Sequence, residues 1–219
     1  MTWDWSFAFA IMPDLLSGVL MTILVASVSS VIALAGGLMV AVIASLTGRA
    51  GRIALRVAIE LLRGVPILVL LYFGFYALPE IGLTLSAFTV GVLVLGLVYA
   101  AFCSEVYRGA LTTIPAGQRD ACMALGLSTF AAWRKVFIPL AVSRSVPALL
   151  NYVLQLFRQS ALLFAIGVPV LLARAQIVGY ERFRYLEPYT LAGILYLLLN
   201  VPFIVFLHKY KVQYAEKRI

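Results

Sequence analysis

Five segments of twenty or more mostly apolar residues follow one another along this chain of 219 residues. A helix needs roughly 20 such residues to cross about 30 Å of membrane hydrocarbon, so each segment is long enough to form one span. The segments cover residues 15–46, 54–78, 85–110, 139–166 and 189–208. The sequence therefore predicts an all-α integral membrane protein with about five transmembrane helices, arranged as a single domain over residues 1–219.

The composition excludes a water-soluble globule. Apolar residues make up 63% of the chain and charged residues 12%, whereas soluble domains contain about 45–50% and about 25%. A soluble protein of this size could not cover so much apolar surface. The two cysteines, Cys103 and Cys122, fit neither a metal-binding spacing nor a disulfide framework, and we expect both to be unpaired.

The distribution of basic residues predicts the orientation in the membrane. If the spans alternate, twelve lysines and arginines in the loops or near span ends fall on the side of the C-terminus, and three fall on the side of the N-terminus. Because basic residues collect in cytoplasmic loops, we expect the N-terminus outside and the C-terminus in the cytoplasm. This topology also explains the net charge of +8 without nucleic acid as a partner. The three exceptions are Arg174, Arg182 and Arg184, with Glu181 and Glu187 nearby.

No residues are predicted to form a catalytic or metal site. The only histidine is His208, and the chain has no HExxH motif, Cys/His cluster or close pair of carboxylates. It also has no G-x-x-x-x-G-K-[ST] loop for binding nucleotide phosphates. A membrane enzyme is therefore disfavoured, and the chain cannot hydrolyse ATP by itself.

The loop between the third and fourth spans has the pattern of two short helices. Pro115 suits a first helical position, and a helical run follows over residues 116–125. Gly126 can adopt the left-handed conformation that ends a helix. Ser128 is a suitable N-cap for a second helix, which we expect Pro139 to end. Without a partner protein, such a loop could instead lie on the lipid as an amphipathic hairpin.

Residues 119–126 of this loop read RDACMALG, and VFIP follows at residues 136–139 after nine residues. This arrangement resembles the EAA loop of ABC importer permeases. The family pattern is EAA, three residues, G, nine residues and IxLP, so the spacing fits throughout. Asp120 replaces the family's Glu and Cys122 its second Ala, and two further aliphatic exchanges are mild. Residues 60–66, 105–109, 114–118 and 166–169 are similar to the histidine, glutamine and arginine permeases of the polar-amino-acid uptake branch.

The resemblance implies the type I importer permease fold and a set of partners. An ATP-binding cassette ATPase subunit, which carries ATP and Mg, would dock on a coupling loop at about residues 112–139. An extracytoplasmic solute-binding protein would deliver the cargo in the bacterial inner membrane. A second permease subunit, either the same chain or a homologue, would complete the pathway, with a heterodimer favoured. The residues that match the coupling motif are Asp120, Ala121, Cys122, Gly126 and Pro139.

Two pairs of opposite charges occur at predicted span ends. Glu60 and Arg63 are three residues apart, as are Glu105 and Arg108, so each pair shares a helix face. Ionisable residues at membrane depth are often functional. Because both pairs lie near the membrane boundary, we favour structural intramembrane ion pairs over a functional role.

A polar stripe runs along the fourth span. Asn151, Gln155, Arg158 and Gln159 share one helix face, and Ser160 follows. Polar groups in a bilayer must face protein or a water-filled cavity, so the stripe predicts the substrate pathway. Contacts between helices of two subunits would explain it equally well. The family usually has a Lys-Asp-Thr-Ser-like run here, and the loss of its carboxylate prevents transfer of a substrate preference.

The motifs and the charge pattern leave two functions of different classes. The leading one is the permease subunit of an ATP-driven importer for a polar amino acid or a derivative, such as histidine, arginine, glutamine, an opine or an ectoine-like solute. The alternative is a proton- or cation-coupled secondary transporter that uses Glu60 and Glu105. Five spans without an internal repeat count against this alternative.

Overall fold

The structure is a computed structural model that describes residues 3–216. Within that range it contains helices and no strand, which confirms the predicted all-α fold. The α-helices are α1 (Trp5–Ala10), α2 (Met12–Leu46), α3 (Arg49–Gly64), α4 (Ile67–Tyr72), α5 (Ala87–Thr112), α6 (Ala116–Ala124), α7 (Thr129–Ala132), α8 (Ile138–Gln159), α9 (Leu171–Arg182) and α10 (Leu186–Glu216). Short π or 3-10 turns lie at Phe73–Ala77, Leu78–Ile81, Trp133–Phe137 and Ser160–Ile166.

Within the described residues, three helical segments are long and apolar enough to cross a membrane. They are Met12–Leu46, Ala87–Thr112 and Thr129–Ile166, which correspond to the predicted first, third and fourth spans. Helix α10 is 31 residues long and contains the predicted fifth span. Two basic residues that we counted in the C-terminal tail, Lys217 and Arg218, lie outside the described residues.

The prediction of one continuous span over residues 54–78 is wrong. The backbone is extended at Val65 and Pro66, with ψ of 134° and 135°, and it separates α3 from the apolar segment Ile67–Ile81. Pro66 lacks an N–H and disfavours helical geometry at the preceding residue. Helix α3 is amphipathic, with charged residues at helical spacing on one face, namely Arg49, Arg52, Arg56, Glu60 and Arg63.

Helices α2 and α5 pack closely because glycines face side chains across the contact. A Cβ atom added to Gly37 would lie 2.6 Å from the Cβ of Cys103. One added to Gly96 would lie 2.7 Å from a methyl carbon of Ile32. Small residues allow membrane helices to approach in this way. Helix α8 packs on the same α5 and completes the core.

The segment after the fourth span forms a short helix, α9, which packs against α2. Leu171 is completely buried, and its N–H donates to the Thr22 hydroxyl at 3.0 Å. The Thr22 hydroxyl in turn donates to the Gly18 carbonyl at 2.8 Å. Helix α9 is thus a buried part of the bundle and does not simply lie on its surface.

An ion-pair network explains one of the exceptions in the charge count. Arg184 lies 3.0 Å from the Asp4 carboxylate and also pairs with Glu187. The Asp4 N–H donates to the Glu187 carboxylate at 3.2 Å, and Arg184 lies over the ring of Phe7. The basic residue is therefore neutralised locally, while it ties the N-terminal helix to the start of α10.

Candidate functional site

The loop between α5 and α8 forms the predicted helical hairpin. Its first helix is α6, which Pro115 precedes as the N-cap, one residue before the position that we expected for this proline. Gly126 has a φ of 64°, the predicted left-handed conformation. The Leu127 N–H donates to the Cys122 carbonyl at 3.0 Å and closes the helix end. The direction of the chain at this corner therefore depends on a glycine.

The second helix of the hairpin continues into the fourth span. Ser128 caps α7 by accepting the Ala131 N–H at 3.3 Å, as predicted. The prediction that Pro139 ends this helix is wrong, because the helix is unbroken over Thr129–Ile166. A π turn at Trp133–Phe137 precedes Pro139, and its wider hydrogen bonding accommodates a residue that lacks an N–H. Helix α7 and α8 are therefore one continuous element.

The outer surface of the hairpin exposes large apolar side chains. Met123 is 70% exposed, Leu125 78% and Phe130 74%. Asp120 and Ala121 are exposed beside them, whereas Cys122 is buried, unpaired and directed into the protein. Apolar groups clustered on an exposed hairpin are typical of a surface that binds another protein. A Cβ atom added to Gly126 would meet no atom of this chain within 4 Å.

The hairpin is attached to the bundle by polar and apolar contacts. The Arg144 guanidinium on α8 donates to the Thr113 carbonyl at 2.8 Å. Leu111 and Ile114 are buried below α6. A cavity of about 350 Å³ separates the hairpin from the ends of the spans, so the two are joined mainly through these contacts and through the continuous α8.

Both predicted ion pairs are present, but only one lies in an apolar span. On α5, the Arg108 Nε atom lies 3.1 and 3.0 Å from the two carboxylate oxygens of Glu105. Glu60 and Arg63 are 3.6 Å apart, and they lie on amphipathic α3 instead of within a span. Arg63 also lies over the ring of Phe102, 4.9 Å from its centroid, which connects α3 to α5.

The polar stripe on α8 is divided between the surface and the core. Asn151, Gln155 and Arg158 are exposed, and Gln159 is partly buried. Ser160 is completely buried, and its hydroxyl donates to the Phe157 carbonyl at 2.6 Å. Ser160 is therefore not part of the exposed polar face, which consists of Asn151, Gln155 and Arg158, with Gln159 at its edge.

Sequence reasoning missed the exposed apolar residues of the hairpin. We singled out the residues that match the family motif and omitted Met123, Leu125 and Phe130. A signal was available, because these large apolar residues stand among the polar and small residues of a non-spanning loop. Their exposure depends on how the hairpin folds, which the sequence pattern alone does not determine.

A profile of the family described as "Binding-protein-dependent transport system inner membrane component" matches residues 33–210. The chain is 35% identical over 205 residues to the probable amino-acid ABC transporter permease protein y4tG of Sinorhizobium fredii, and the match covers 91% of this chain and 89% of the relative. It is also 35% identical over 207 residues to the glutamine transport system permease protein GlnP of Escherichia coli, with coverage of 92% and 93%.

A solved structure has the same fold over the whole chain. It is described as a crystal structure of an amino acid ABC transporter with histidines. The TM-score is 0.87 at 29% sequence identity, and the superposition covers 97% of this chain and 100% of the other.

Proposed function

This chain belongs to the family of binding-protein-dependent transport system inner membrane components, and we propose that it works with an ATPase, a second permease subunit and an extracytoplasmic binding protein. It is the permease component of an ABC importer for amino acids. The chain is a multi-pass membrane protein. Our proposal adds the inner-membrane orientation with the N-terminus outside, the docking surface and the residues along the pathway.

The exposed apolar surface of the hairpin supports ATPase docking. Met123, Leu125 and Phe130 would fill pockets on the partner, and Asp120 and Ala121 lie beside them. Truncating central apolar residues of an interface commonly costs about 2 kcal/mol or more. ATP and Mg would be bound by the partner, and this chain would receive the resulting movement.

The continuous helix Thr129–Ile166 provides a route for that movement. The π turn carries the helix past Pro139 without a break, so a displacement of α7 moves α8 with it. Helix α8 carries Asn151, Gln155 and Arg158 on its exposed face. Movement at the docking surface would therefore shift the polar face directly.

The exposed polar face supports a second permease subunit. Lipid offers Asn151, Gln155 and Arg158 no hydrogen-bond partners, so this face requires a protein neighbour or a water-filled pathway. A second copy or a homologue would enclose the pathway along α8. The cargo is a polar amino acid or a derivative, whose carboxylate the Arg158 guanidinium suits by its planar geometry.

The role of Arg158 can be separated from a purely structural one. If Arg158 binds cargo, Arg158→Ala should reduce uptake per assembled complex about ten- to a hundred-fold, since hydrogen bonds to charged groups contribute about 1.5–3 kcal/mol. Arg158→Lys should restore part of it. If Arg158 only joins subunits, the amount of complex should fall while uptake per complex stays normal.

A secondary transporter that uses Glu60 and Glu105 is not favoured. Glu105 is held by Arg108 through both carboxylate oxygens, and Glu60 lies beside Arg63 on amphipathic α3, outside the apolar spans. The family and fold are those of ATP-driven importers.

Docking is tested by co-purification of the ATPase from cells that express the whole transporter. Gly126→Arg should abolish it, because a large charged side chain at the corner opposes the positive φ and blocks the partner. Gly82→Arg is a matched control, since Gly82 also has a positive φ (82°) and open space around its Cβ position. Equal ATPase recovery with both variants would contradict the docking assignment.

The orientation is tested by cysteine labelling in a background without Cys103 and Cys122. A cysteine at Thr129 should react with an impermeant thiol reagent only after the cytoplasmic side is opened. A cysteine at Gly82 should react in intact spheroplasts. The opposite pattern would overturn the orientation that we propose.

A further inference from the structure

A basic cavity lies beside the hairpin, between α2, α3, α5 and α6. Its volume is about 410 Å³. Arg52 and Arg56 reach it from amphipathic α3, Arg108 from α5 and Arg119 from α6, and Glu105 is the one carboxylate in its lining. Three helices that are separated in the sequence thus bring four guanidinium groups to one space.

The positive charge of this cavity is not balanced within the described residues. Glu105 is held by Arg108 through both carboxylate oxygens. Among the side chains that the structure describes, no carboxylate lies within 4.0 Å of Arg52, Arg56 or Arg119. Arg52 donates only to the Thr47 carbonyl, at 3.3 Å. Three of the four arginines therefore line the cavity without an ion-pair contact to a described carboxylate.

We propose that this cavity binds a phosphate group. Guanidinium groups match phosphate oxygens by paired, charge-assisted hydrogen bonds, and the Ser45 and Thr112 hydroxyls in the lining can add further ones. Basic pockets between membrane helices on the cytoplasmic side bind the headgroups of anionic lipids. Leu55 and Ile59 of α3 line the same cavity, so one wall can contact the apolar part of a lipid.

Two sources can supply the phosphate. One is the headgroup of an anionic phospholipid in the inner leaflet, and the other is inorganic phosphate or a soluble phosphate ester. Neither source is the transported amino acid, and the cavity contains none of the polar stripe residues of α8. The proposal goes beyond amino-acid import, and its failure would leave the importer assignment intact.

The test uses the purified transporter complex in nanodiscs of phosphatidylcholine. Phosphatidylglycerol is titrated in one series and inorganic phosphate in another, and the thermal unfolding midpoint is recorded. Binding should raise the midpoint in a saturable way, because a ligand that binds the folded state stabilises it. Arg56→Gln should require about tenfold more ligand for half of the effect, and Arg56→Lys should fall between.

Arg49→Gln is the matched control, because Arg49 is exposed on the same helix and does not line the cavity. It should respond like the unmodified protein. A response to phosphatidylglycerol alone identifies a lipid headgroup, and a response to inorganic phosphate in neutral lipid identifies a soluble ligand; both support the proposal. The absence of any response would overturn the proposal. Equal weakening by Arg49→Gln and Arg56→Gln would also overturn it, because binding would then depend only on the general positive charge of the surface.

Discussion

Two connections between spans have similar parts and opposite environments. The hairpin connects α5 to α8, and the α9 connection leads from the end of the fourth span to α10. Each contains a short helix followed by a residue with positive φ, Gly126 at 64° and Phe183 at 51°. The hairpin exposes its large apolar side chains, whereas α9 buries Leu171 completely against α2.

The glycines near these helices show the same difference. A Cβ atom added to Gly18 would lie 2.8 Å from the Leu171 Cα atom of α9. One added to Gly117 on α6 would meet nothing within 4 Å. Helix α9 is therefore packed within this chain, while α6 has surface left for another protein. We therefore expect the inter-span helix whose apolar side chains are uncovered to be the one that binds a partner.

The largest expected effect tests whether the hairpin surface binds the ATPase. Phe130→Glu should weaken recovery of the ATPase about 30-fold or more, because a charge would replace a central apolar contact worth about 2 kcal/mol. Ile177→Glu places the same charge at a residue of α9 that is 43% exposed and should leave the recovery unchanged. Quantitative co-purification measures both, and an equal loss would erase the distinction between the two connections.

A second prediction concerns the close contact of α2 with α9. Gly18→Val should destabilise the protein by about 1–3 kcal/mol, because the backbone of Leu171 must move away. Gly117→Val should change the stability by less than about 1 kcal/mol, since its surroundings are open and valine has a slightly higher helix propensity than glycine. Unfolding by denaturing detergent measures both variants. Similar losses would show that α9 is packed no more tightly than α6.

A smaller effect is expected at the two residues with positive φ. Phe183→Gly should stabilise the end of α9 by about 0.5–1 kcal/mol. The left-handed conformation costs residues other than glycine about 1–2 kcal/mol. Part of this gain is lost again, because glycine loses more backbone entropy on folding. Its side chain is 80% exposed, so little packing is lost. Gly126→Ala should have the opposite sign. Hydrogen exchange at each helix end measures these changes, and a loss of protection in Phe183→Gly would point to a role for the aromatic ring.

The smallest effect concerns the pH response of the N-terminal end near α9. The Ser6 hydroxyl, the Phe7 N–H and Arg184 lower the pKa of Asp4 from 3.8 to about 2. A lowered pKa stabilises the folded state above about pH 4, and this contribution is lost as the pH falls toward 2. The hydrogen-exchange protection factors of α1, measured relative to the intrinsic exchange rate at each pH, should fall over this range. Asp4→Asn should show fast exchange already at neutral pH, whereas Asp14→Asn should behave like the unmodified protein.

Local sequence rules predicted the glycine corner and the N-cap of the hairpin. They gave wrong helix boundaries where proline occurs within or next to a long apolar segment. The left-handed Gly126 and the Ser128 cap depend on neighbouring residues, and both were predicted. The break at Pro66 was missed because residues 54–78 are apolar enough on average to hide a short charged helix. The continuous helix through Pro139 was missed because sequence rules treat proline as a helix end, and a π turn accommodates it here.

The sequence by itself determined the membrane fold class, the family resemblance and the hairpin with its glycine corner. Those features follow from apolar segment length, residue spacing and local backbone preference. Only the tertiary structure decided that Ser160 is buried and that Arg158 is exposed. It also decided that arginines from α3, α5 and α6 meet at one cavity. These results depend on which helix faces pack together, and that choice is made between segments far apart in the chain.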